Sequence, residues 1–221
     1  MNRTISRSEA PVLEQLEMER PELVTMGDLA TLLDSAGVRT LPRVFAARLR
    51  AKGWLLPTEQ RGVWEFAPAA LAGPYSSFNP ALPLRAFLAK RPGTPCGLTF
   101  QAAAWAHGCA DRVPARPEVA VADALTAHKL PPGLRAFSFT PALSPNRSRG
   151  VPVLMPESVL THMCTKPVAV RSWNSALDWL PELAAEANIA NIEAELSSRP
   201  RTVARRPSPA RRPSSGWWTD R

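Results

Sequence analysis

Apolar residues recur at helical spacing in the first 35 residues and predict two short helices there. The first helix should run from Ser8, as its N-cap, to about Glu19 and end before Pro21, with an apolar stripe at Val12, Leu13 and Leu16. The second should begin at Thr25, with Asp28 in the place of the usual Glu of a capping box. Its buried face would consist of Leu29, Leu32 and Leu33. Gly37 then suits a tight turn that needs a positive φ.

A third amphipathic helix is expected over Leu41–Lys52, with Thr40 as its N-cap and Pro42 in its first turn. At about 100° per residue, the apolar side chains of Leu41, Phe45 and Leu49 share one direction. Arg43 and Arg50 lie on the opposite face, about 140–160° away, with the small residues Ala46 and Ala47 beside them. The pattern predicts one face that packs on the first two helices and one that carries arginines next to small side chains.

Two short apolar runs follow this helix directly and predict a hairpin. Trp54–Pro57 and Val63–Phe66 have strand composition, and Thr58–Gly62 is a polar, Gly-containing turn between them. Helix, helix, turn, helix and hairpin, in this order, are typical of a winged helix-turn-helix domain, which we assign to residues 1–70.

The remaining chain divides into three parts by composition. Residues 71–79 are rich in small residues, Gly and Pro, which indicates a linker. Residues 80–196 mix helical and strand patterns and predict an α/β domain, with a helix after Thr99, strands near residues 118–122, 136–140 and 151–154, and a helical pattern over 173–187 interrupted by Pro181. Residues 197–221 are rich in Arg, Pro and Ser and predict a disordered tail. The fold class is therefore α+β.

Net charge supports a nucleic-acid partner only weakly. The chain has a formal net charge of +8, which favours polyanionic partners. Residues 197–221, however, hold seven Arg and one Asp, which leaves about +2 for the rest of the chain. The local arrangement around the third helix must therefore carry the prediction of DNA binding.

That arrangement predicts a DNA-binding surface on the third helix and the hairpin. Small side chains let a helix approach base edges in the major groove, and Arg can contact guanine in bidentate fashion. Cations that flank the helix and the tip of a wing suit phosphates or a narrow minor groove. The predicted DNA-binding residues are Arg39, Thr40, Arg43, Ala47, Arg50, Lys52, Gln60 and Arg61.

Patterns for other chemistry are weak or absent in the sequence. No phosphate-binding loop and no nucleophile elbow are present. His107 and Cys109 have no matching ligands at metal-site spacing, and three scattered cysteines indicate no disulfide framework. We expect no catalytic residues, metal or cofactor. The sequence also has no apolar run of membrane-spanning length and no secretory signal, so we expect a cytoplasmic protein.

Six segments resemble AbiEi-type antitoxins of type IV toxin–antitoxin systems. They are residues 24–30, 37–43, 52–55, 61–64, 97–105 and 150–160. The resemblance covers roughly residues 10–190, rests on structural patterns and not on catalytic signatures, and does not include the basic tail. It implies a transcriptional regulator that binds inverted repeats in its own promoter, and a nucleotidyltransferase-like toxin that it counters without a stable complex.

Two alternatives remain open at this point. The second domain would be an enzyme that modifies a toxin or its target, or the winged helix would bind a protein in place of DNA. Salt-dependent DNA affinity separates the last alternative from a DNA-binding antitoxin.

Overall fold

The computed structural model describes residues 3–71, 76 and 79–199. Residues 3–71, called here the N-terminal region, contain three α-helices and three strands in the order α1, β1, α2, α3, β2, β3. Their bounds are Ala10–Glu19, Leu23–Thr25, Met26–Ser35, Pro42–Ala51, Leu55–Pro57 and Val63–Phe66. The strands form an antiparallel sheet in the order β1-β3-β2.

Local sequence signals explain how these helices begin and turn. The Thr25 hydroxyl accepts from the N–H of Asp28, and the Asp28 carboxylate accepts from the N–H of Thr25, which confirms the predicted capping box. Gly37 adopts φ +63°, as its turn requires. Ser8, by contrast, does not cap α1, whose N-cap is Glu9. The Glu9 carboxylate accepts from the N–H of Ser6 and points back into the structure.

The three helices and the sheet enclose one apolar core. Val12, Leu16, Leu29, Leu33 and Phe45 are almost completely buried and belong to the same cluster as Trp54 and Phe66, whose rings stack. Strand β1 was not predicted from the sequence, because three residues carry too little periodicity to define a strand. Its pairing with β3 extends the hairpin and joins it to α2.

Residues 79–199, called here the C-terminal region, form a mixed sheet with helices packed on it. The helices are α4 (Leu82–Lys90), α5 (Phe100–His107), α6 (Ala124–Lys129), α7 (Pro156–Thr165), α8 (Trp173–Ala185) and α9 (Ile189–Ser197). The strands are β4 (Cys96–Leu98), β5 (Glu118–Val121), β6 (Arg135–Ser138), β7 (Asn146–Ser148) and β8 (Val151–Val153). Sheet order is β6-β5-β4-β8-β7, with parallel pairs β5–β6 and β4–β8. The whole is α+β, as predicted.

Several predicted features of this region change in the structure. Pro181 lies inside α8 and does not interrupt it. Thr99 occupies the N-cap position of α5, but its hydroxyl makes no capping bond and pairs instead with Nδ1 of His162 at 2.9 Å. Helix α9 continues to Ser197, and the Arg199 guanidinium donates to the Thr140 carbonyl, so packed chain extends past residue 196. The remainder of the predicted disordered tail, residues 200–221, lies outside the described residues.

The two regions contact each other along α4. Arg85 of α4 forms an ion pair with Glu22, the residue that precedes β1, and Asn79 donates to the same carboxylate. At the other end of α4, Arg91 donates to the Gln60 side chain at 3.3 Å. Among the described residues, no helix is long and apolar enough to cross a membrane.

Candidate nucleic-acid interface

Helix α3 has a buried arc and a broad solvent face. Phe45, Ala46 and Leu49 are buried against the core, and at about 100° per residue they span an arc of roughly 100°. The centre of the opposite face consists of Val44, Ala47 and Ala51, all exposed. The exposed face therefore has small or apolar side chains at its centre.

Arginines flank this centre on both sides. Arg43 and Arg50 lie on one edge of the solvent face, and Arg48 lies on the other, about 140° from Arg43. Arg48 is not among the predicted DNA-binding residues, because the buried face was centred partly on Leu41 and Arg48 then lies close to that face. When the buried face is centred on Phe45, Leu49 and Ala46 instead, Arg48 falls at the edge of the solvent face.

Three predictions about α3 are wrong: its N-cap, the burial of Leu41 and the position of Ala46 on the solvent face. Pro42 is the first helical residue, so Leu41 and not Thr40 is the N-cap, with extended backbone. Leu41 therefore lies outside the helical register and is 59% exposed. With Leu41 removed from the apolar stripe, the buried arc shifts towards Ala46, which is 2% exposed and does not lie on the solvent face.

The arginines of this surface have no partners within the described part of the chain. Arg39, Arg43, Arg48, Arg50 and Arg61 are exposed and make no side-chain hydrogen bond or ion pair with any described residue. Thr40, between them in sequence, is half-buried, and its N–H donates to the Val38 carbonyl. The guanidinium groups are thus free to contact an external anion.

Lys52 differs from these arginines because it is already paired. Its ammonium lies 2.5 Å from Oε2 of Glu9, whose side chain is 2% exposed. Burial disfavours the ionised form of Glu9, but hydrogen bonds from Lys52 and Ser6 and the charge of Lys52 outweigh it and hold the pKa of Glu9 below its usual value. The pair ties the end of α3 to the start of α1. A phosphate would therefore have to compete with Glu9 for Lys52.

The hairpin tip lies against α4, and this contact adds two cations to the predicted surface. The Gln60 side-chain oxygen accepts from Arg91, and the ammonium of Lys90 would lie 3.7 Å from a β-carbon built on Gly62. Lys90 and Arg91 are both exposed, and they lie against the two residues that flank Arg61 in the sequence. No sequence pattern signals this arrangement, because it depends on a tertiary contact between residues about 30 positions apart.

A shallow groove runs between α3 and β2. It has a volume of about 360 Å³ and is lined by Ala47, Arg50 and Ala51 from the helix and by Leu55–Pro57 from the strand. Its apolar side chains suit contact with a thymine methyl group, and its single arginine suits a phosphate or a guanine edge.

The ionisable groups in the core of the C-terminal region are poor candidates for a catalytic site. His162 is 0% exposed, between the rings of Phe100 and Phe139 at 4.3 and 4.1 Å. Burial, with added repulsion from Lys166 and Arg199, lowers the pKa of His162 to about 3, so its ring is neutral at physiological pH. A histidine with no access to solvent cannot exchange protons with a substrate.

Buried carboxylates in the same region have structural partners. Burial raises the pKa of Glu118 to about 7, although the Ala102 N–H and the charges of Arg135 and Arg171 partly offset it. The Glu195 side chain accepts from Ser158, from the N–H groups of Ala142 and Leu143, and from Arg199. Over the described residues, no three His, Cys, Asp or Glu side chains converge as metal ligands.

Two comparisons with known proteins found similarity to this chain. The chain is similar to the RV2827C protein from Mycobacterium tuberculosis, known from a crystal structure. The TM-score is 0.73 and the sequence identity 28%, over 91% of this chain and 75% of that one. No curated protein matches the sequence significantly. The family model of the AbiEi antitoxin C-terminal domain matches residues 96–209, more than half of the chain. The chain therefore belongs to the AbiEi antitoxin family.

Proposed function

We propose that the N-terminal region is a winged helix-turn-helix that binds double-stranded DNA, with α3 as the recognition helix and the β2–β3 hairpin as the wing. The observation that carries this proposal is the solvent face of α3, where arginines that have no partner among the described residues flank a centre of small side chains. A face of this kind lets the helix enter a major groove while the arginines contact guanine edges or phosphates.

Within this proposal the residues have different roles. Arg43 and Arg50 read bases or set the register, and Ala47 allows close approach. Arg39, Thr40 and Arg61 contact phosphates, and the structure adds Arg48, Lys90 and Arg91 to this group. Gln60 contributes its amide N–H groups, because its oxygen is bound to Arg91. Lys52 can contact DNA only when its ion pair with Glu9 breaks. We therefore expect it to contribute least to the binding free energy.

Family membership supports the wider biological role. We propose a non-enzymatic cytoplasmic antitoxin that represses its own toxin–antitoxin operon by binding inverted repeats in its promoter. Its functional partner would be a nucleotidyltransferase-like toxin in a type IV system, countered without a stable complex. The C-terminal region would carry the antitoxin activity, since the family model matches there.

The recognition surface is tested by fluorescence anisotropy with DNA from upstream of the gene, at several salt concentrations. Because a base-reading arginine contributes about 1–3 kcal/mol, Arg43→Ala with Arg50→Ala should weaken specific binding by roughly 10²-fold or more. Arg48→Ala should weaken binding to all sequences equally and reduce the salt slope by about 1. The matched control, Arg112→Ala with Arg171→Ala, removes two exposed arginines from the C-terminal region.

A protein partner for the same face is the second candidate. The exposed side chains of Leu41 and Val44 favour it, since they add apolar surface beside the arginines. Affinity for operator DNA that is unchanged by the Arg43/Arg50 substitutions, or that does not depend on salt, would contradict the recognition-helix assignment. Stable co-purification with a protein, lost in Leu41→Ala, would then support the second candidate.

A further inference from the structure

A cavity of about 780 Å³ lies where the N-terminal and C-terminal regions meet. Leu23 and Asp28 line it from the N-terminal region, and residues 139–145 form one wall in the C-terminal region. Most of the lining residues are apolar or glycine, and the volume is within the range of about 300–1,000 Å³ that is usual for small-molecule sites. Its floor is one row across the C-terminal sheet, formed by Arg147, Pro152, Gly97 and Ala120.

Two small residues of the floor keep the cavity free of side chains. A β-carbon built on Gly97 would lie 3.4 Å from the Pro152 carbonyl oxygen, which is tighter than an ordinary contact. Ala120, the partner of Gly97 in the sheet, contributes only a methyl group. The volume of the cavity therefore depends on the small size of these two residues.

The wall of residues 139–145 is fixed by buried hydrogen bonds. The Glu195 carboxylate accepts from the N–H groups of Ala142 and Leu143 at 3.0 and 3.2 Å. Arg199 donates to the Thr140 carbonyl at 2.9 Å. Because Glu195 is 0% exposed, water does not compete for its bonds. The wall is thus preformed, which lowers the cost of ordering the protein around a ligand.

Three charged side chains line the cavity, and one of them lacks a partner among the described residues. Arg85 forms its ion pair with Glu22. The Asp28 carboxylate accepts from the Thr25 N–H at 2.7 Å in the first turn of α2, where the helix dipole also stabilises a negative charge. Arg147, on the edge strand β7, is exposed and makes no hydrogen bond or ion pair with any residue that the structure describes.

We propose that this cavity binds a small molecule with an apolar body and a single anionic group. The body would lie on the floor at Gly97 and Ala120, and the anionic group would pair with Arg147. A guanidinium binds a carboxylate or a similar oxyanion through two parallel hydrogen bonds. A neutral apolar molecule would leave the charge of Arg147 without a partner, and a simple inorganic anion would gain nothing from the apolar lining. The two features together therefore select an apolar monoanion.

Fluorescence titration of the full chain with two probes tests the charge requirement. The first probe is 8-anilinonaphthalene-1-sulfonate, and the second is N-phenyl-1-naphthylamine, which has the same aromatic body without the sulfonate. The wild-type chain should bind the sulfonate more tightly than the neutral amine. Arg147→Gln should weaken binding of the sulfonate roughly tenfold, because it removes a charged hydrogen-bond donor, and should leave binding of the amine unchanged. Arg112→Gln removes an exposed arginine outside the lining and should change neither.

Filling the cavity tests the location of the site. Ala122 and Ala89 both line the cavity, so Ala122→Phe and Ala89→Phe should each weaken binding of both probes at least tenfold. Ala185→Phe, at an exposed position outside the lining, is the matched control and should have no effect. A variant that failed to fold would expose its core and increase the fluorescence of the sulfonate, so misfolding cannot imitate the expected loss.

Three results would overturn the proposal. The first is equal affinity of the wild-type chain for the two probes, and the second is sulfonate binding that does not change in Arg147→Gln. The third is binding that survives both Ala122→Phe and Ala89→Phe, which would place the probes elsewhere on the protein. Inorganic phosphate at constant ionic strength should not displace the sulfonate. Displacement by phosphate would show that the site takes any anion, and the apolar part of the proposal would then be wrong.

Discussion

The N-terminal and C-terminal regions place their charged groups in opposite ways. On α3 the arginines are exposed and unpaired among the described residues. In the C-terminal region the carboxylates of Glu118, Glu157 and Glu195 are buried and hydrogen-bonded. Charge on the first surface is available to a partner, whereas charge in the second core fixes how the helices and loops pack. Substitutions on α3 should therefore change binding, and substitutions of the buried carboxylates should change stability.

The largest expected effect on stability is at Glu195. Glu195→Leu leaves the Ser158 hydroxyl and two backbone N–H groups without their acceptor and removes the carboxylate partner of Arg199. Breaking a buried charged network in this way costs about 3–5 kcal/mol, measured as the free energy of unfolding in urea. Glu193→Leu changes an exposed residue of the same helix and should cost less than about 0.5 kcal/mol. Equal effects of the two substitutions would show that the network does not stabilise the fold.

Glu118 gives a pH-dependent effect of slightly smaller size. Its folded-state pKa of about 7 lies above the unfolded value of 4.5, so its contribution is complete below pH 4.5 and is lost as pH rises through 7. A difference of this size corresponds to about 3 kcal/mol. Glu118→Gln keeps an acceptor for Ala102 and removes the titration. Between pH 5 and 8 the wild type should therefore lose stability relative to Glu118→Gln.

Urea unfolding of both proteins at intervals across that range measures the difference. His162 is present in both proteins, so its contribution cancels in the difference between their stabilities. That contribution has the opposite pH dependence: the lowered pKa of His162 stabilises the fold above pH 6.5, and this stabilisation is lost as pH falls towards 3. Parallel stability profiles for wild type and Glu118→Gln would mean that Glu118 titrates normally in the folded protein.

The comparison also explains which features could be predicted from the sequence. The Thr25–Asp28 capping box and the turn at Gly37 depend on neighbours within a few residues, and both were correct. Strand β4, by contrast, has three residues and is defined by pairing with β5 and β8. The contact of Glu195 with Ser158 joins residues far apart in sequence. Such features depend on tertiary packing, for which local periodicity carries no signal.

The candidate surface on α3 falls between these cases. Its arginines and its helix follow from local patterns, so Arg43, Ala47 and Arg50 were placed on the solvent face correctly. The error at Leu41 arose at the helix boundary, where a one-residue shift of the N-cap moves a side chain out of register. The partners of Lys52 and Gln60 come from other elements and could not be read from α3 or the hairpin alone.

The smallest expected effect on stability is on α3 itself. Arg43→Ala, Arg48→Ala and Arg50→Ala together should change the free energy of unfolding by no more than about 0.5 kcal/mol, because surface substitutions without partners are nearly neutral and Ala favours helix as strongly as Arg. Urea unfolding at pH 7 measures this change, alongside DNA anisotropy on the same samples. Loss of DNA affinity with unchanged stability would show that this surface serves binding and not folding. A loss of stability above about 1 kcal/mol would mean that these arginines support the fold, and the contrast between the two regions would then fail.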